Sequence, residues 1–165
     1  MNQHVNRMPS RRPEQHLRKI KAALELRKWV IQPVDGSQAR PYSYAYTIGL
    51  IENGGVAELL VTGMPHELAE HILNGLAEFM LANAGLPPSE WDVAVSDDIS
   101  QALKPVWVTR PSNDVPMHMA VAYYKTRLIP AVQYVWPTLQ GQYPWDEQWP
   151  EPLVQPVGGS GRPMQ

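Results

Sequence analysis

The sequence predicts a single α+β domain with a mostly antiparallel sheet, on which one long helix and one or two shorter helices pack. The chain has 165 residues, 44% of them hydrophobic, which is enough for one core and too few for two domains of ordinary size. Apolar residues recur at helical spacing in two long segments. Short β-branched and aromatic segments bounded by glycine or proline lie between and after these helices, as is typical of paired strands.

The clearest predicted helix covers residues 66–84. Pro65 precedes it at a position where proline is tolerated, and Gly85 with two following prolines ends it. Its expected buried stripe consists of Leu68, Ile72, Leu76 and Phe79. A first amphipathic helix is predicted from 13 to about 28, and a short third helix over 117–125.

Six segments are predicted to be strands: 29–34, 42–50, 58–63, 91–95, 106–110 and 129–136. Segment 42–50 alternates aromatic with small residues. Asn53-Gly54-Gly55 then turns the chain, so 58–63 is expected to be its antiparallel neighbour.

The folded domain is expected to span residues 13–149. Residues 1–12 predict a flexible basic tail. Residues 150–165 contain prolines, the run Gly158-Gly159-Ser160-Gly161 and little apolar surface, which predicts a disordered tail.

The net charge of −2 conceals a basic amino-terminal region. Residues 1–29 hold eight Lys or Arg against two Glu, a local charge of +6, so the rest of the chain carries −8. Clustered Lys and Arg can contact nucleic-acid phosphates. A solvated helix face or a contact with an acidic subunit is the preferred interpretation, and nucleic acid is therefore not the expected partner.

The composition also bears on location. No apolar run reaches the roughly 18 residues of a membrane span, and the amino terminus lacks the apolar stretch of a signal peptide. The chain has no cysteine, which removes disulfides and thiolate chemistry. We therefore expect a cytoplasmic protein with no membrane partner.

The sequence contains near matches to metal-binding motifs but no complete motif for metal, cofactor or catalytic chemistry. HELAEH at 66–71 nearly matches H-E-x-x-H, but His66 and His71 are five residues apart. On a helix this spacing turns the two rings roughly 140° apart, so they cannot share a zinc ion as that motif requires. Asp97 and Asp98 lack the spacing of a calcium loop. With no P-loop, G-x-G-x-x-G or G-x-S-x-G, we expect no metal and no cofactor, and the catalytic residues stay unassigned.

A row of tyrosines provides a candidate binding surface. Tyr42, Tyr44 and Tyr46 stand two apart, so on a strand their rings share one face. Core packing is the ordinary explanation of such a row. The alternative is a stacking platform for a flat ligand, with Arg110, Lys125 and Arg127 supplying charge for a phosphate or carboxylate.

Five short motifs carry a family resemblance: YTIGL at 46–50, ELLVTGMP at 58–65, LN at 73–74, AVQYVWP at 131–137 and GQYPW at 141–145. In order and separation they resemble the bacterial and phage family of unknown function called DUF4262, from about Trp29 to Trp149. Val56-Ala57 stands where the family usually has His-Pro, and Thr138 where it usually has Asp. The resemblance implies a domain and its limits, and no activity.

The leading hypothesis is a small-molecule binding module that binds or sequesters a nucleotide-like metabolite or signal. We expect it to be a homo-oligomer. Tyrosines would stack on the ligand, an arginine would meet its negative group and a glutamine would contact a polar edge. The predicted ligand-binding residues are Tyr44, Tyr46, Thr47, Arg110, Arg127, Gln133, Trp136 and Trp145.

Two alternatives belong to other classes. One is a hydrolase whose active site is gathered from separate loops: Glu52, Asp97, Asp98 and His118. The other is a protein or nucleic-acid interaction module that uses the basic first helix, whose binding would weaken steeply with salt.

Overall fold

The computed structural model describes residues 12–97, 99–150 and 155–158. Its strands are β1 (Val30–Val34), β2 (Tyr44–Ile48), β3 (Glu58–Thr62), β4 (Trp91–Ser96), β5 (Ile99–Val108) and β6 (Ala131–Val135). Its helices are α1 (Arg12–Leu24), α2 (His66–Ala82) and α3 (His118–Tyr124). Among the described residues, no helix is both long enough and apolar enough to cross a membrane.

All six strands belong to one curled sheet in the order β1-β2-β3-β6-β5-β4. Four neighbouring pairs are antiparallel, and β3 with β6 is the one parallel pair among them. The parallel pair needs a long crossover, which α2, β4, β5 and α3 provide. The predicted single α+β domain with a mostly antiparallel sheet is thus confirmed.

Helix α2 covers one face of the sheet. Its buried residues are Ala69, Ile72, Leu73, Leu76, Ala77 and Met80, which pack on Ala45, Leu59 and Val132. The predicted stripe was wrong at two positions, because Leu68 and Phe79 are 41% and 38% exposed. The buried stripe instead includes the small side chains of Ala69 and Ala77, and Phe79 packs edge-on against Trp91 at the margin.

The opposite face is covered by three pieces of chain. Ile20 of α1 and Ala120 of α3 pack on a cluster that includes Tyr44, Tyr46 and Ile48. Further along the same face, Val157 packs on a smaller cluster of Val106, Val135 and Tyr143. Helices α1 and α3 and the carboxyl-terminal segment together bury this face of the sheet, as α2 buries the other.

Two element boundaries differ from the predictions by more than two residues. Helix α1 ends at Leu24 and does not reach Lys28; the following Leu26 is 88% exposed, so no apolar face supports a further turn. Strand β5 begins at Ile99 and not at Val106, because its first half pairs with β4 in a hairpin, with Trp91 opposite Leu103. Pairing with β4 therefore makes β5 longer than the strand predicted from composition.

The structure describes only part of the two predicted tails. Residues 1–11 lie outside the described part of the chain, and Arg12 begins α1. Of the segment 150–165, the structure describes Pro150 and residues 155–158, which lie against the sheet.

Candidate functional site

The predicted tyrosine platform lies inside the protein. Tyr44 is 2% and Tyr46 1% exposed, and their rings stack on one another with centroids 6.3 Å apart. The Tyr44 hydroxyl donates to the carbonyl of Pro116 at 2.7 Å, and the Tyr46 hydroxyl accepts from the amide of Met119 at 3.0 Å. Burial raises the pKa of both phenols. These rings therefore pack under α3 and its preceding loop, without an open ring face.

Thr47 serves a buried carboxylate. Its hydroxyl donates to Glu58 Oε2 at 2.7 Å and accepts from the amide of Leu59 at 2.8 Å. Both Thr47 and Glu58 are fully buried. The threonine predicted to contact a ligand thus has its hydrogen-bonding capacity used within the fold.

Glu58 is a residue that the sequence interpretation missed. Its carboxylate accepts five hydrogen bonds, from the hydroxyls of Thr47 and Tyr124 and from the backbone amides of Gly49, Leu50 and Ile51. Desolvation raises the pKa of Glu58, and the hydrogen bonds from Tyr124 and Thr47 oppose that rise. The sequence signal that could have identified Glu58 is its place as the one charged residue of β3, directly before the apolar residues Leu59, Leu60 and Val61.

Gln133 and Trp136 meet around Thr62. The Gln133 amide nitrogen donates to Thr62 Oγ1 at 3.1 Å and to the carbonyl of Pro156 at 2.8 Å. The indole of Trp136 donates to the carbonyl of Thr62 at 2.8 Å. The amide nitrogen of Gln133 thus has partners within the protein itself, the Thr62 hydroxyl and the Pro156 carbonyl.

Trp145 belongs to a stack at the margin of the sheet. Its ring lies parallel to that of Tyr143, with centroids 4.9 Å apart, and Lys104 Nζ lies 4.5 Å from the Tyr143 centroid. The Tyr143 hydroxyl donates to the carbonyl of Ala102. This arrangement ties the carboxyl-terminal loop to β5.

The two predicted arginines lie elsewhere on the surface. Arg110 follows β5, Arg127 lies between α3 and β6, and both are exposed. Tyr44 and Trp145 belong to different apolar clusters. The structure thus brings Gln133 and Trp136 together, and does not assemble the eight predicted residues around one cavity.

A cleft that the sequence interpretation did not assemble lies beside the edge strand β1, between α1 and α2. Its volume is about 560 Å³. Apolar side chains contribute to its wall: Ile20, Ala23, Val30, Ile31 and Ala45. This volume falls in the range of about 300–1,000 Å³ found for small-molecule sites.

The charged lining of the cleft is mostly positive. Lys19 comes from α1, and Arg27 and Lys28 from the segment joining α1 to β1. Glu70 of α2 is the only carboxylate among the lining residues. Three cations against one acid favour an anionic group. The sequence alone indicates this basic region but favours a solvated helix face or a contact with an acidic subunit.

Aromatic and imidazole groups complete the lining. The indole of Trp29 donates to Asn74 Oδ1 at 3.0 Å, which fixes the ring between β1 and α2. His66 Nε2 lies 2.7 Å from Asp35 Oδ1, and His16 bonds Gln32. Trp29 belongs to the same connecting segment as Arg27 and Lys28, and Lys19 of α1 lines the same space.

Among the described residues of the hydrolase hypothesis, Glu52, Asp97 and His118, no hydrogen bond joins any two. Glu52 accepts a hydrogen bond from the hydroxyl of Tyr123, and His118 is the first residue of α3. Asp97 lies in the β4–β5 turn, at the sheet edge opposite β1, while Asp98 lies outside the described residues. Within the described chain, no group of three or more His, Cys, Asp or Glu is placed to hold a metal ion.

Comparison with known proteins gives a family match. The model of the family described as "Domain of unknown function (DUF4262)" matches residues 23–150. No curated protein and no solved structure matches the chain. The matched range includes every strand, α2, α3, and the cleft residues Arg27, Lys28 and Trp29, whereas Lys19 precedes it.

Proposed function

The chain belongs to the DUF4262 family, and from that premise we propose that it is a binding module for a small anionic ligand of nucleotide-like chemistry. We place the ligand in the cleft beside β1, which is lined by Lys19, Arg27, Lys28, Trp29 and Glu70 and is called the basic cleft below.

The observation that carries this proposal is the combination of volume, charge and an aromatic ring in one cleft. A space of about 560 Å³ accommodates a small organic molecule. Lys and Arg side chains form charge-assisted hydrogen bonds with phosphate or carboxylate oxygens. An indole ring beside them offers a surface for a flat ring.

Each lining group has a definite part in the proposed complex. Arg27 and Lys28 meet the anionic group from the segment before β1, and Lys19 meets it from α1. Trp29, anchored by Asn74, contacts the flat part of the ligand. The apolar residues excluding water behind them include Ile20 and Ile31. Negative charge on the ligand is therefore required, and an uncharged analogue binds weakly.

This placement differs from the one expected from sequence. Stacking on Tyr44 or Tyr46 requires α3 to move, because Pro116 and Met119 cover and hydrogen-bond these side chains. Binding in the basic cleft requires no such movement. The two placements predict different sensitive residues, and the experiment below separates them.

The test is equilibrium binding of the full chain to nucleoside mono-, di- and triphosphates and to the matching uncharged nucleosides. We expect phosphorylated ligands to bind and nucleosides to bind at least about tenfold more weakly. The double variant Lys19→Ala/Arg27→Ala should lose binding by about tenfold or more. Arg110→Ala/Arg127→Ala removes the same number of positive charges outside the cleft and is the matched control.

Three results contradict the proposal. One is the absence of binding to every phosphorylated ligand of the panel. The second is an equal loss in the two double variants, since that points to general electrostatics or to the site predicted from sequence. The third is conversion of more than one equivalent of ligand, which favours the hydrolase hypothesis. Ligand recovered chemically intact supports a binding module.

We propose, in addition, that two copies associate through sheet edges. Strands β1 and β4 are the edges, and an edge strand presents unpaired backbone groups to another strand. The exposed Pro33 and the adjoining cleft make β1 a poor pairing edge, so β4 is the proposed one. Sedimentation analysis tests this: a monomer at all concentrations contradicts it.

A further inference from the structure

Four carboxyl-terminal residues, Gln155-Pro156-Val157-Gly158, lie on the sheet and are called the QPVG segment. Thr62 Oγ1 donates to the carbonyl of Pro156 at 2.9 Å, and Gln133 Nε2 donates to the same oxygen at 2.8 Å. The amide of Gly158 donates to Gln133 Oε1 at 2.9 Å. A single buried glutamine thus contacts the segment with both its donor and its acceptor.

The first residue of the segment is held through its side chain. The amide of Trp136 donates to Gln155 Oε1 at 2.9 Å, and Gln155 Nε2 donates to the carbonyl of Trp136 at 2.8 Å. The Gln155 side chain thus makes the two hydrogen bonds that the backbone of a neighbouring strand would otherwise make with the backbone of Trp136. A shorter side chain or one without an amide cannot make both.

The remaining positions are selected by packing. Val157 contacts the apolar cluster of Val106, Val135 and Tyr143. A Cβ added to Gly158 would lie 2.8 Å from Val108 Cγ2, closer than carbon atoms ordinarily approach. The surface therefore selects glutamine first, an apolar residue third and glycine fourth.

The residues that contact the QPVG segment lie inside the range matched by the family model, and the segment itself lies outside it. Thr62, Val108, Gln133 and Trp136 lie within the matched range 23–150, whereas the QPVG segment lies beyond it. With the QPVG segment in place, Thr62 and Gln133 are fully buried, and the segment supplies partners for their polar groups through the Pro156 carbonyl and the Gly158 amide. The family domain thus contains a polar notch that an element outside the domain fills.

We propose that this notch is a peptide-binding site. Its ligand is an extended Gln-x-x-Gly segment with an apolar third residue, presented by another protein chain. The chain's own QPVG segment occupies the notch and competes with that ligand. Because a tethered segment acts at a high effective concentration, a free peptide binds strongly only when the tethered one is removed.

The experiment uses the full chain with the segment altered in place: Gln155→Ser, Pro156→Ser, Val157→Ser and Gly158→Asp together. A fluorescent synthetic peptide, LVQPVGGS, is titrated into this variant and into the unaltered protein, with fluorescence anisotropy as the readout. We expect saturable binding to the variant and at least about tenfold weaker binding to the unaltered protein. Peptides carrying Gln155→Ala or Gly158→Val should bind the variant at least about tenfold more weakly than LVQPVGGS.

Every other outcome overturns the proposal. Far-UV circular dichroism and thermal denaturation show whether the altered chain is folded. A folded variant that binds no peptide shows that the notch has no independent affinity. An unfolded variant shows that the segment is part of the fold and is not exchangeable. Equal binding of LVQPVGGS and a scrambled peptide shows that the contact is unspecific. None of these results depends on the basic cleft.

Discussion

Tyr124 donates its hydroxyl hydrogen to Glu58 Oε1 at 2.5 Å, and these residues are 66 positions apart in the chain. The same hydroxyl accepts from the amide of Gly49 at 3.0 Å. One phenol therefore connects the end of α3, the turn after β2 and the first residue of β3. The five described donors to this buried carboxylate are hydroxyls and backbone amides of the protein, and they offset part of the cost of its desolvation.

Removing the Tyr124 hydroxyl should destabilise the protein substantially. Tyr124→Phe deletes a donor to a buried carboxylate, and a hydrogen bond to a charged group contributes about 1.5–3 kcal/mol. The free energy of unfolding, measured by urea denaturation, should fall by about that amount. Tyr123→Phe is the matched control, because its hydroxyl donates to the exposed Glu52 and its loss should cost less than about 1 kcal/mol. Equal losses in both variants contradict the assigned role of Glu58.

The stability of the protein should depend on pH through Glu58. Burial raises the pKa of Glu58 above its ordinary value of about 4.5. The folded state then holds the proton more tightly than the unfolded chain, so the contribution of Glu58 to stability is greatest below about pH 4.5 and is lost as the pH rises through the folded-state pKa.

The measurement compares the unaltered protein with Glu58→Gln by urea denaturation at a series of pH values from about 4.5 upward. The difference in unfolding free energy should move in favour of Glu58→Gln as the pH rises. Glu67→Gln removes one exposed carboxylate of α2 and corrects for the general effect of charge. A difference that is constant with pH, or that moves the other way, contradicts the prediction.

Replacing Gly49 by alanine should be more damaging than the same change at Gly54. Both glycines have positive φ, 110° and 107°, which costs any other residue about 1–2 kcal/mol. A Cβ at Gly49 would also lie 2.6 Å from Leu24 Cδ2 and 2.7 Å from the carbonyl of Lys28, whereas nothing lies within 4 Å at Gly54. We expect Gly49→Ala to lower the free energy of unfolding by more than about 3 kcal/mol.

Thermal and urea denaturation of the two alanine variants check this. Because the backbone cost is common to both, the difference between the variants reports the close approach of α1 and the following segment to the turn after β2. Similar losses at the two positions mean that this approach is looser than the structure shows.

Ligand binding in the basic cleft should weaken with salt. Lys19, Arg27 and Lys28 are exposed, so their attraction for an anion is screened when the Debye length falls from about 10 Å at 0.1 M salt to about 3 Å at 1 M. We expect the affinity for a nucleoside triphosphate to fall at least about tenfold over this range.

Lys28→Ala should reduce both the affinity at low salt and its salt dependence, and Lys28→Arg should preserve most of each because the charge remains. Calorimetric titration at several salt concentrations gives both quantities. Salt-independent affinity in the unaltered protein contradicts a charge-based site.

The secondary structure was largely predictable because it depends on local patterns. Helical spacing, Pro65 and Gly85 indicated α2 to within two residues of its observed end at Ala82. Composition was less informative where partners decided the outcome. The first half of β5 is a strand because β4 pairs with it, and the buried face of α2 depends on which side chains let the helix approach the sheet.

The sequence by itself determined the single α+β domain, its helices and strands, and the presence of a basic amino-terminal region, because these properties depend on composition and on residues close together in the chain. Only the tertiary structure decided that Tyr44 and Tyr46 are core, that Glu58 is the centre of a hydrogen-bond network, and that Lys19, Arg27 and Lys28 face a cleft with Trp29. These contacts join residues distant in sequence, and the same side-chain pattern is compatible with a buried or an exposed face until the partners are in place.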